Sequence, residues 1–256
     1  MLTTERKRHV LEVLRREGRV VAKDLSAALG LSEDTIRRDL RELAGEGLLQ
    51  RVHGGALPAS AAMRDLDGRA EVSVADKAAI GRAAAAMIAE GQVVFIDGGT
   101  TAVQLARAID PRLRATVFTH SPPVAVELAG HAVEVTLIGG RLFKHSMVAT
   151  GAQAMAEIGR VRADVYFMGV TGVHPELGLT TGDAEEAAIK RALVAASAEI
   201  VVLASPEKIG AASPFQVARL AEVSGLVTSQ AFSTEEAAVY ERQGVSVVRA
   251  ALEGSV

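Results

Sequence analysis

The stretch VVFIDGGTT, residues 93–101, decides the fold of the larger part of this chain. Four apolar residues and an aspartate are typical of a buried β-strand, and two glycines then permit a tight turn. Thr100 and Thr101 begin a helical pattern directly after the turn. A helix that starts there presents free N–H groups and the positive end of its dipole, which together bind anions. The sequence therefore predicts a phosphate-binding turn, although glycines at such turns also occur for geometry alone.

The alternation of strand and helix continues on both sides of this stretch. Near-continuous apolar segments recur, and helical patterns separate most of them, which is typical of a parallel sheet with helices on both faces. The sequence therefore predicts an α/β fold for residues 74–256. The predicted strands are residues 93–97, 116–120, 133–140, 163–170, 199–205, 225–229 and 245–250.

Glycine and polar residues collect where these strands end. Gly139 and Gly140 end the third predicted strand, and Gly169, Thr171 and Gly172 lie at the end of the fourth. Ligands of parallel sheets bind beyond the carboxyl ends of the strands. We therefore expect these ends and the turn after residue 97 to form one pocket.

Two charged features lie near the same strand ends. Glu186 and Lys190 are one helical turn apart, a spacing that fits either a pocket or an ordinary surface salt bridge. Lys208 follows a strand in a chain with six lysines and 22 arginines, which indicates a need for a compact ammonium or else a solvated loop residue. The predicted ligand-site residues are Asp97, Gly98, Gly99, Thr100, Thr101, Gly140, Thr171, Gly172, Glu186, Lys190 and Lys208.

The first 57 residues carry three helical patterns. Apolar spacing indicates a helix over residues 5–16 that ends at Gly18, and a second over 22–29 that ends at Gly30. Ser32 is a suitable N-cap for a third helix that runs to about residue 45. Three short helices joined by glycine-containing turns predict a helix-turn-helix.

Two adjacent arginines, Arg37 and Arg38, lie near the start of the third helix, where the helix dipole favours negative charge. In a helix-turn-helix this end enters the DNA major groove, where phosphates and guanine edges supply that charge. Residues 1–56 hold eleven Lys or Arg and nine Asp or Glu, whereas the remainder holds seventeen and twenty-two. Ordinary solvated helix charges are the alternative interpretation of both arginines.

A short strand pattern, LLQRVHGGA at residues 48–56, follows the third helix. Its glycine pair suits a tight turn, so we interpret it as the wing of a winged helix, although His53 also fits an ordinary surface position. Residues 58–73 contain Pro58 and small residues without a sustained period, which indicates a linker between domains 1–57 and 74–256. The predicted DNA-contacting residues are Ser32, Glu33, Asp34, Thr35, Arg37, Arg38, Arg51, His53 and Gly54.

Composition excludes several classes of protein. The chain has 256 residues, 49% hydrophobic and 23% charged, which allows two folded domains. It contains no cysteine, so disulfides, thiolate catalysis and thiolate metal sites are excluded. No apolar run approaches the roughly 18 residues that span a bilayer, and the first residues are charged, so we expect a cytoplasmic protein without a membrane partner. We predict no catalytic residue, metal site or cofactor.

Several N-terminal segments resemble the DNA-binding domain of the DeoR family of bacterial transcription regulators. They are Arg6, Val10 and Leu14, SEDTIRRDL at 32–40, and RVHGGA at 51–56. The resemblance implies a winged helix-turn-helix that binds double-stranded operator DNA. One such module reads few base pairs, so we expect a homo-oligomer, a dimer or a tetramer.

Residues 74–256 resemble the sensor domain of the same family. The matching segments are IDGGTT, LIGGRLF, MGVTGV, EEAAIKRAL and EKIG. The resemblance implies a fold similar to ribose-5-phosphate isomerase and a phosphorylated sugar as effector, hence a repressor of genes for sugar metabolism. The family often has Asp-x-x-Lys where this chain has Ser205 to Lys208, and Thr-Asn where it has Thr119 and His120.

Two other classes of function fit the sequence less well. A sugar-phosphate isomerase with an accessory DNA-binding domain needs a carboxylate base and a group that stabilises an enediolate. Ser205 in place of the family's usual aspartate weakens this alternative, although Asp97, Asp183 and Glu186 remain. A purely structural DNA-bending protein fits poorly because most of the chain lies outside the DNA-binding segment.

Overall fold

The structure is a computed structural model that describes residues 2–60 and 65–252. In the N-terminal domain, Gly18 and Gly30 end two helices in the left-handed conformation, with φ of 71° and 63°. The Ser32 hydroxyl caps the third by accepting a hydrogen bond from the Thr35 N–H at 3.2 Å. The predicted helix-turn-helix is confirmed. The elements of this domain are α1 (Thr3–Glu17), β1 (Val20–Val21), α2 (Ala22–Leu29), α3 (Glu33–Gly45), β2 (Leu49–Val52) and β3 (Gly55–Pro58).

The N-terminal helices enclose a small apolar core. Ile36, Leu40 and Leu43 share one face of α3 and are buried, as their spacing predicts. They belong to one cluster with Val10 and Leu14 of α1. Strands β1, β3 and β2 pair in that order as an antiparallel sheet, and the β2–β3 hairpin forms the wing.

The C-terminal domain is built on a parallel sheet. Its strands are β4 (Val93–Ile96), β5 (Thr116–Thr119), β6 (Glu134–Leu137), β9 (Ala163–Gly169), β12 (Ser197–Leu203), β14 (Gly225–Ser229) and β15 (Ser246–Ala250). Within residues 65–252 these seven strands pair in the order β15-β14-β12-β9-β4-β5-β6. Each overlaps a segment predicted as a strand, and only β12 extends beyond its predicted range, by two residues at its start, which confirms the predicted α/β fold.

Helices cover both faces of this sheet. Successive side chains of a strand point to opposite faces, so Ile96 and Phe167 pack on one side and Phe95 and Tyr166 on the other. Among the described residues, no helix is long and apolar enough to cross a membrane. The helices are α5 (Val74–Ala85), α6 (Thr100–Ala108) and α7 (Pro122–Leu128) on the first face, and α8 (Ala152–Ile158), α9 (Ala184–Ala195) and α10 (Thr234–Glu241) on the second.

Two small antiparallel sheets add to this framework. Their strands are three or four residues long, too short to give a periodic signal in the sequence. One is a hairpin of β7 (Arg141–Phe143) and β8 (Val148–Thr150), and the other joins β10 (Gly172–His174), β11 (Gly178–Thr181) and β13 (Phe215–Ala218).

The range predicted as a linker contains a short helix, α4 (Leu66–Ala70). Asp65 caps it by accepting a hydrogen bond from the Gly68 N–H at 2.9 Å. Five residues carry too little apolar periodicity to be recognised, and none of them is buried. Residues 61–64 lie outside the described residues.

Candidate functional sites

The predicted DNA-contacting residues lie at the start of α3 and on the wing, and their side chains are largely accessible. Gly54 occupies the wing turn with φ of 78°, a conformation that favours glycine. The Ser32 hydroxyl is already engaged as the helix cap. Exposed residues of the set are Ser32, Asp34, Arg37, Arg38, Arg51, His53 and Gly54, whereas Glu33 and Thr35 are half-buried.

Arg37 pairs with two acidic residues of its own helix. Its Nη2 atom lies 2.6 Å from Glu33 Oε2, and Nη1 lies 3.8 Å from Asp34 Oδ1. Two acidic residues in the first turn also favour the positive end of the helix dipole. These contacts explain how an arginine is tolerated near the helix start before phosphates approach it.

A buried ion pair fixes α3 against α1. Asp39 is 1% exposed, and its carboxylate accepts hydrogen bonds from Arg6 Nε and, at 2.9 Å, from Arg6 Nη2. The bidentate geometry fixes distance and orientation together. The exposed face of α3 that carries Arg38 is thereby held in a defined direction.

A partly open pocket lies beyond the carboxyl ends of β4, β9 and β12. It is hereafter called the sensor pocket. The predicted residues that line it are Gly98, Gly99, Thr100, Thr101, Thr171, Glu186, Lys190 and Lys208. The further lining residues are Arg69, Ser146, Gly169, Val170 and Thr181.

The turn between β4 and α6 requires glycine at both of its central positions. A Cβ atom on Gly98 would lie 2.2 Å from Val148 Cγ1, and Gly99 has φ of 105°. Gly99 is the N-cap residue of α6, whose first N–H groups have no partner within the helix. The backbone therefore presents donors to the pocket at a positive helix end, as an anion-binding turn requires.

Asp97 lies beneath this turn rather than in the pocket. Its side chain is 0% exposed. Its carboxylate accepts hydrogen bonds from the N–H groups of Gly98 and Gly169, both at 2.8 Å, and from the Tyr166 hydroxyl at 2.9 Å. Burial alone would raise the pKa of Asp97, but the Lys190 ammonium and His120 lower it below its usual range. The carboxylate thus stays ionised and positions the pocket floor.

Lys190 and Glu186 do not form the surface salt bridge that their spacing allows. Lys190 is buried and donates to the Asp97 carboxylate and, at 2.9 Å, to the Gly169 carbonyl oxygen. Glu186 is 8% exposed and lines the pocket, where its charge favours the protonated form of the Arg69 guanidinium. The two residues therefore contribute one cation that pairs with Asp97 and one carboxylate that lines the pocket.

His120 lies between two hydrogen-bond acceptors in the same buried network. Its Nδ1 atom lies 3.0 Å from the Ala149 carbonyl oxygen, and Nε2 lies 2.8 Å from Asp97 Oδ1. Each of these two oxygens can accept a hydrogen bond from the ring. His120 therefore supports the Asp97 carboxylate from below the pocket.

Lys208 is a buried ammonium that faces the turn. It ends the 3₁₀ helix Pro206–Lys208 after β12, and its Nζ atom lies 3.5 Å from Thr101 Oγ1. Among the described residues, no carboxylate lies within 4 Å of this ammonium. Burial above all lowers its pKa to about 7. The nearby Glu207 carboxylate opposes this shift, and the cations Lys77, Arg69 and Lys190 add to it. Ser205 instead donates to Glu207 Oε1 at 2.6 Å.

Two predicted glycines lie outside the sensor pocket. Gly140 packs against the hairpin, where an added Cβ atom would lie 2.6 Å from the Thr150 carbonyl oxygen. The end of β6 is separated from β4 by β5, so it lies too far along the sheet to join the turn. Gly172 packs against the Ala211 carbonyl oxygen, 2.5 Å from an added Cβ.

Three polar lining residues were not identified from the sequence. Ser146 reaches the pocket from the β7–β8 hairpin, Thr181 ends β11, and Arg69 comes from α4. Only Arg69 had a local signal, because Asp65 is a suitable N-cap for a short helix. The other two depend on how the small sheets fold over the main one.

Two domain families match the chain. The DeoR-like helix-turn-helix domain matches residues 6–61, and the DeoR C terminal sensor domain matches residues 72–230. Together they cover both the α3 surface and most of the sensor pocket.

Two regulators align with nearly the whole chain, and one enzyme structure aligns with about half of it. The HTH-type transcriptional regulator GlpR of Haloferax volcanii is 38% identical over 97% of this chain and 98% of that protein. The HTH-type transcriptional repressor GlcR of Bacillus subtilis is 28% identical over 97% of this chain and 96% of that protein. Ribose 5-phosphate isomerase A of Methanocaldococcus jannaschii aligns with a TM-score of 0.39 and 16% identity over 52% of this chain and 53% of that one. From the two matching families and the full-length relatives, the chain belongs to the DeoR family of transcriptional regulators.

Proposed function

We propose that this regulator represses genes of sugar metabolism and that a phosphorylated sugar in the sensor pocket changes its affinity for operator DNA. The helix-turn-helix supplies the DNA-binding part of the proposal. Relatives named as repressors, GlcR and a putative aga operon transcriptional repressor of Escherichia coli that is 28% identical, support repression.

The unpaired ammonium of Lys208 is the observation that carries the effector class. A buried charge without an ion-pair partner is costly, and the carboxylate of Glu207 offsets this cost only in part, so the site is poised for an anion. The adjacent Gly98–Thr101 turn presents backbone donors at a helix start, which suits a phosphate ester. Glu186 and Thr171 lie across the pocket and provide acceptors and a hydroxyl for the sugar.

We infer binding without catalysis. A sugar-phosphate isomerase needs a carboxylate that is free to remove a carbon-bound proton. The Asp97 carboxylate is enclosed by Lys190, His120 and Tyr166, which supports a positioning role. Glu186 is the remaining pocket carboxylate, so turnover of pentose and hexose phosphates is the direct test of the alternative.

The regulator is proposed to act as a homo-oligomer, a dimer or a tetramer, without a cofactor. One recognition helix contacts few base pairs, and operator specificity normally comes from paired half-sites. This part of the proposal rests on the DNA-binding geometry alone.

A thermal-shift screen with pentose and hexose monophosphates tests the effector class. A ligand that binds only the folded chain raises the unfolding temperature. The matching unphosphorylated sugars are the controls, and the variant Lys208→Met should lose most of the response. No response to any ester, with operator binding intact, would contradict the proposed effector class.

A further inference from the structure

The described C-terminal part of the segment that joins the two domains lies over the sensor pocket. This segment, residues 59–73, is called the tether, and the structure describes residues 59–60 and 65–73 of it. Its C-terminal half contains α4, from which Arg69 reaches into the pocket. A residue of the connection between domains is therefore part of the ligand site.

Arg69 lies directly over the anion-binding turn. A Cβ atom placed on Gly99 would be 3.9 Å from Arg69 Nη1. The hydrogen bonds of the guanidinium are long, at 3.3 Å from Nε to the Asp65 carbonyl oxygen, 3.3 Å from Nη2 to Ser146 Oγ and 3.4 Å from Nη2 to the His145 carbonyl oxygen. Among the described residues, no carboxylate lies within 4 Å of it, whereas Arg107 lies 2.6 Å from Glu127. Arg69 thus retains capacity to bind an anion.

Polar contacts rather than apolar packing hold the tether on the pocket. None of the α4 residues is buried. The buried Lys77 ammonium donates to the carbonyl oxygens of Arg69 and Val72, both at 2.5 Å. Ser73 donates to Glu207 at 2.8 Å, next to Lys208. A short helix held in this way has a low local stability, so a new contact can change its position.

The other end of the tether also lies near the pocket. Ala59 follows β3 of the wing directly and forms a parallel bridge with Ala212. The next residue, Ser213, has its hydroxyl 2.7 Å from Thr171 Oγ1, and Thr171 lines the pocket. The wing is therefore connected to the pocket wall at both described ends of the tether.

We propose that Arg69 binds the phosphate of the effector together with the Gly98–Thr101 turn, and that this contact transmits pocket occupancy through the tether to the wing. The proposal rests on the proposed function of the pocket. Guanidinium binds phosphate in a bidentate manner, so the phosphate replaces the long contacts to Ser146 and His145. An effector that favours one position of α4 shifts the tether and hence the operator affinity.

The test compares Arg69→Met and Arg69→Lys with the wild type in the full chain. Arg112→Met is the matched control, because Arg112 is 90% exposed and pairs only locally with Asp110 among the described residues. Affinities are measured calorimetrically for inorganic phosphate and for the hexose monophosphates. Operator DNA, selected from a random library by the wild type, is then titrated with and without saturating ester.

Arg69→Met should bind phosphate about ten- to a hundredfold more weakly, because charge-assisted hydrogen bonds are lost. In the wild type, saturating ester should change the operator affinity by a factor of about five to 150. In Arg69→Met this factor should be close to one. Arg69→Lys keeps the charge but loses the bidentate geometry, so its losses of phosphate affinity and of the operator response should be smaller. This variant provides the test if Arg69→Met does not fold. Arg112→Met should match the wild type.

Hydrogen exchange of the tether provides a structural readout. Amides of residues 65–73 should gain protection when the ester binds to the wild type and should not in Arg69→Met at saturation. A wild-type phosphate affinity in Arg69→Met overturns the phosphate contact, and a wild-type operator ratio overturns the transmission. A wild-type chain that binds neither phosphate nor any ester overturns the proposed effector class, and the role of Arg69 with it.

Discussion

At the residue scale, the two buried lysines of the sensor pocket differ in their partners. Lys190 pairs with the fully buried Asp97 carboxylate, whereas Lys208 lies beside the turn without an ion pair among the described residues. The same residue type is therefore structural at one position and available to a ligand at the other.

This difference predicts opposite effects on stability. Lys190→Met strands the buried Asp97 carboxylate, so the free energy of unfolding should fall by about 3–5 kcal/mol. Lys208→Met removes a buried charge that lacks a partner, so it should not lower the free energy of unfolding. Urea denaturation of both variants without effector measures this. Equal losses in the two variants would show that the assignment of partners is wrong.

The pKa of Lys208 predicts how effector binding depends on pH. The folded-state pKa of about 7 lies below the ordinary value of 10.5, so the unfolded chain binds more protons between these values. Lys208 therefore makes stability rise with pH across that window and leaves it unchanged below about pH 7. A bound phosphate favours the ammonium and raises its pKa, so binding above pH 7 requires uptake of a proton.

Affinity for the ester should consequently fall between pH 7 and pH 9, by at most about tenfold per pH unit. The second ionisation of the ester, with a pKa of about 6, is nearly complete by pH 7 and does not cause the fall. Calorimetry in buffers of different ionisation heat measures the proton uptake. Lys208→Met should bind weakly and without this pH dependence, and an equally steep fall in that variant would assign the titration to another group.

The residues of the site were only partly predictable at this scale. The glycines and threonines after β4 could be identified because a strand end, a glycine pair and a helix start follow one another in the sequence. The inward position of Asp97 could not be predicted, because its partners His120, Tyr166 and Lys190 come from three other parts of the chain. The sequence also could not show that Glu186 and Lys190 do not pair with each other, because the partners of Lys190 likewise come from other parts of the chain.

At the element scale, α3 carries the predicted DNA contact. Arg37 must give up its contacts to Glu33 and Asp34 to bind DNA, whereas Arg38 has no ion pair among the described residues. Both Arg37→Ala and Arg38→Ala should weaken operator binding, and Arg38→Ala should cost more. A bidentate contact to guanine contributes about 1–3 kcal/mol of discrimination, which sets the expected scale.

Gel-shift titrations on operator DNA at fixed salt measure these two variants. Arg112→Ala is a control of equal charge change outside α3, and it should bind as the wild type does. Wild-type affinity in both α3 variants would remove this helix from the DNA interface.

The long elements were predictable because they repeat a simple period. The inner strands β4, β9, β12 and β14 are largely buried apolar runs, and α3 combines a cap at Ser32 with buried positions at helical spacing. Helix α4 was not predictable from its five residues. Its position depends on hydrogen bonds to Lys77 and His145, and no sequence pattern links α4 to either residue.

At the scale of the whole molecule, the tether determines how the two domains communicate. A segment rich in small residues without a period is read as a linker, since such sequences bury little apolar surface. Here its described parts contact the sensor domain through Ala212, His145 and Glu207. The described part of the connection between the two predicted domains therefore lies partly on the sensor pocket.

The number of chains that bind one operator is also a property of the whole molecule. A single α3 presents only a few side chains to the major groove, which specifies too few base pairs for selective binding. We therefore predict at least a dimer, bound to an inverted repeat whose half-sites are centred about 10 base pairs apart or at a multiple of that spacing. Analytical ultracentrifugation of the chain, free and on the selected operator, measures the stoichiometry, and footprinting measures the spacing. A monomer in both states, or protection of one isolated half-site, would count against an oligomer, and specificity would then have to come from the wing residues Arg51 and His53 in addition to α3.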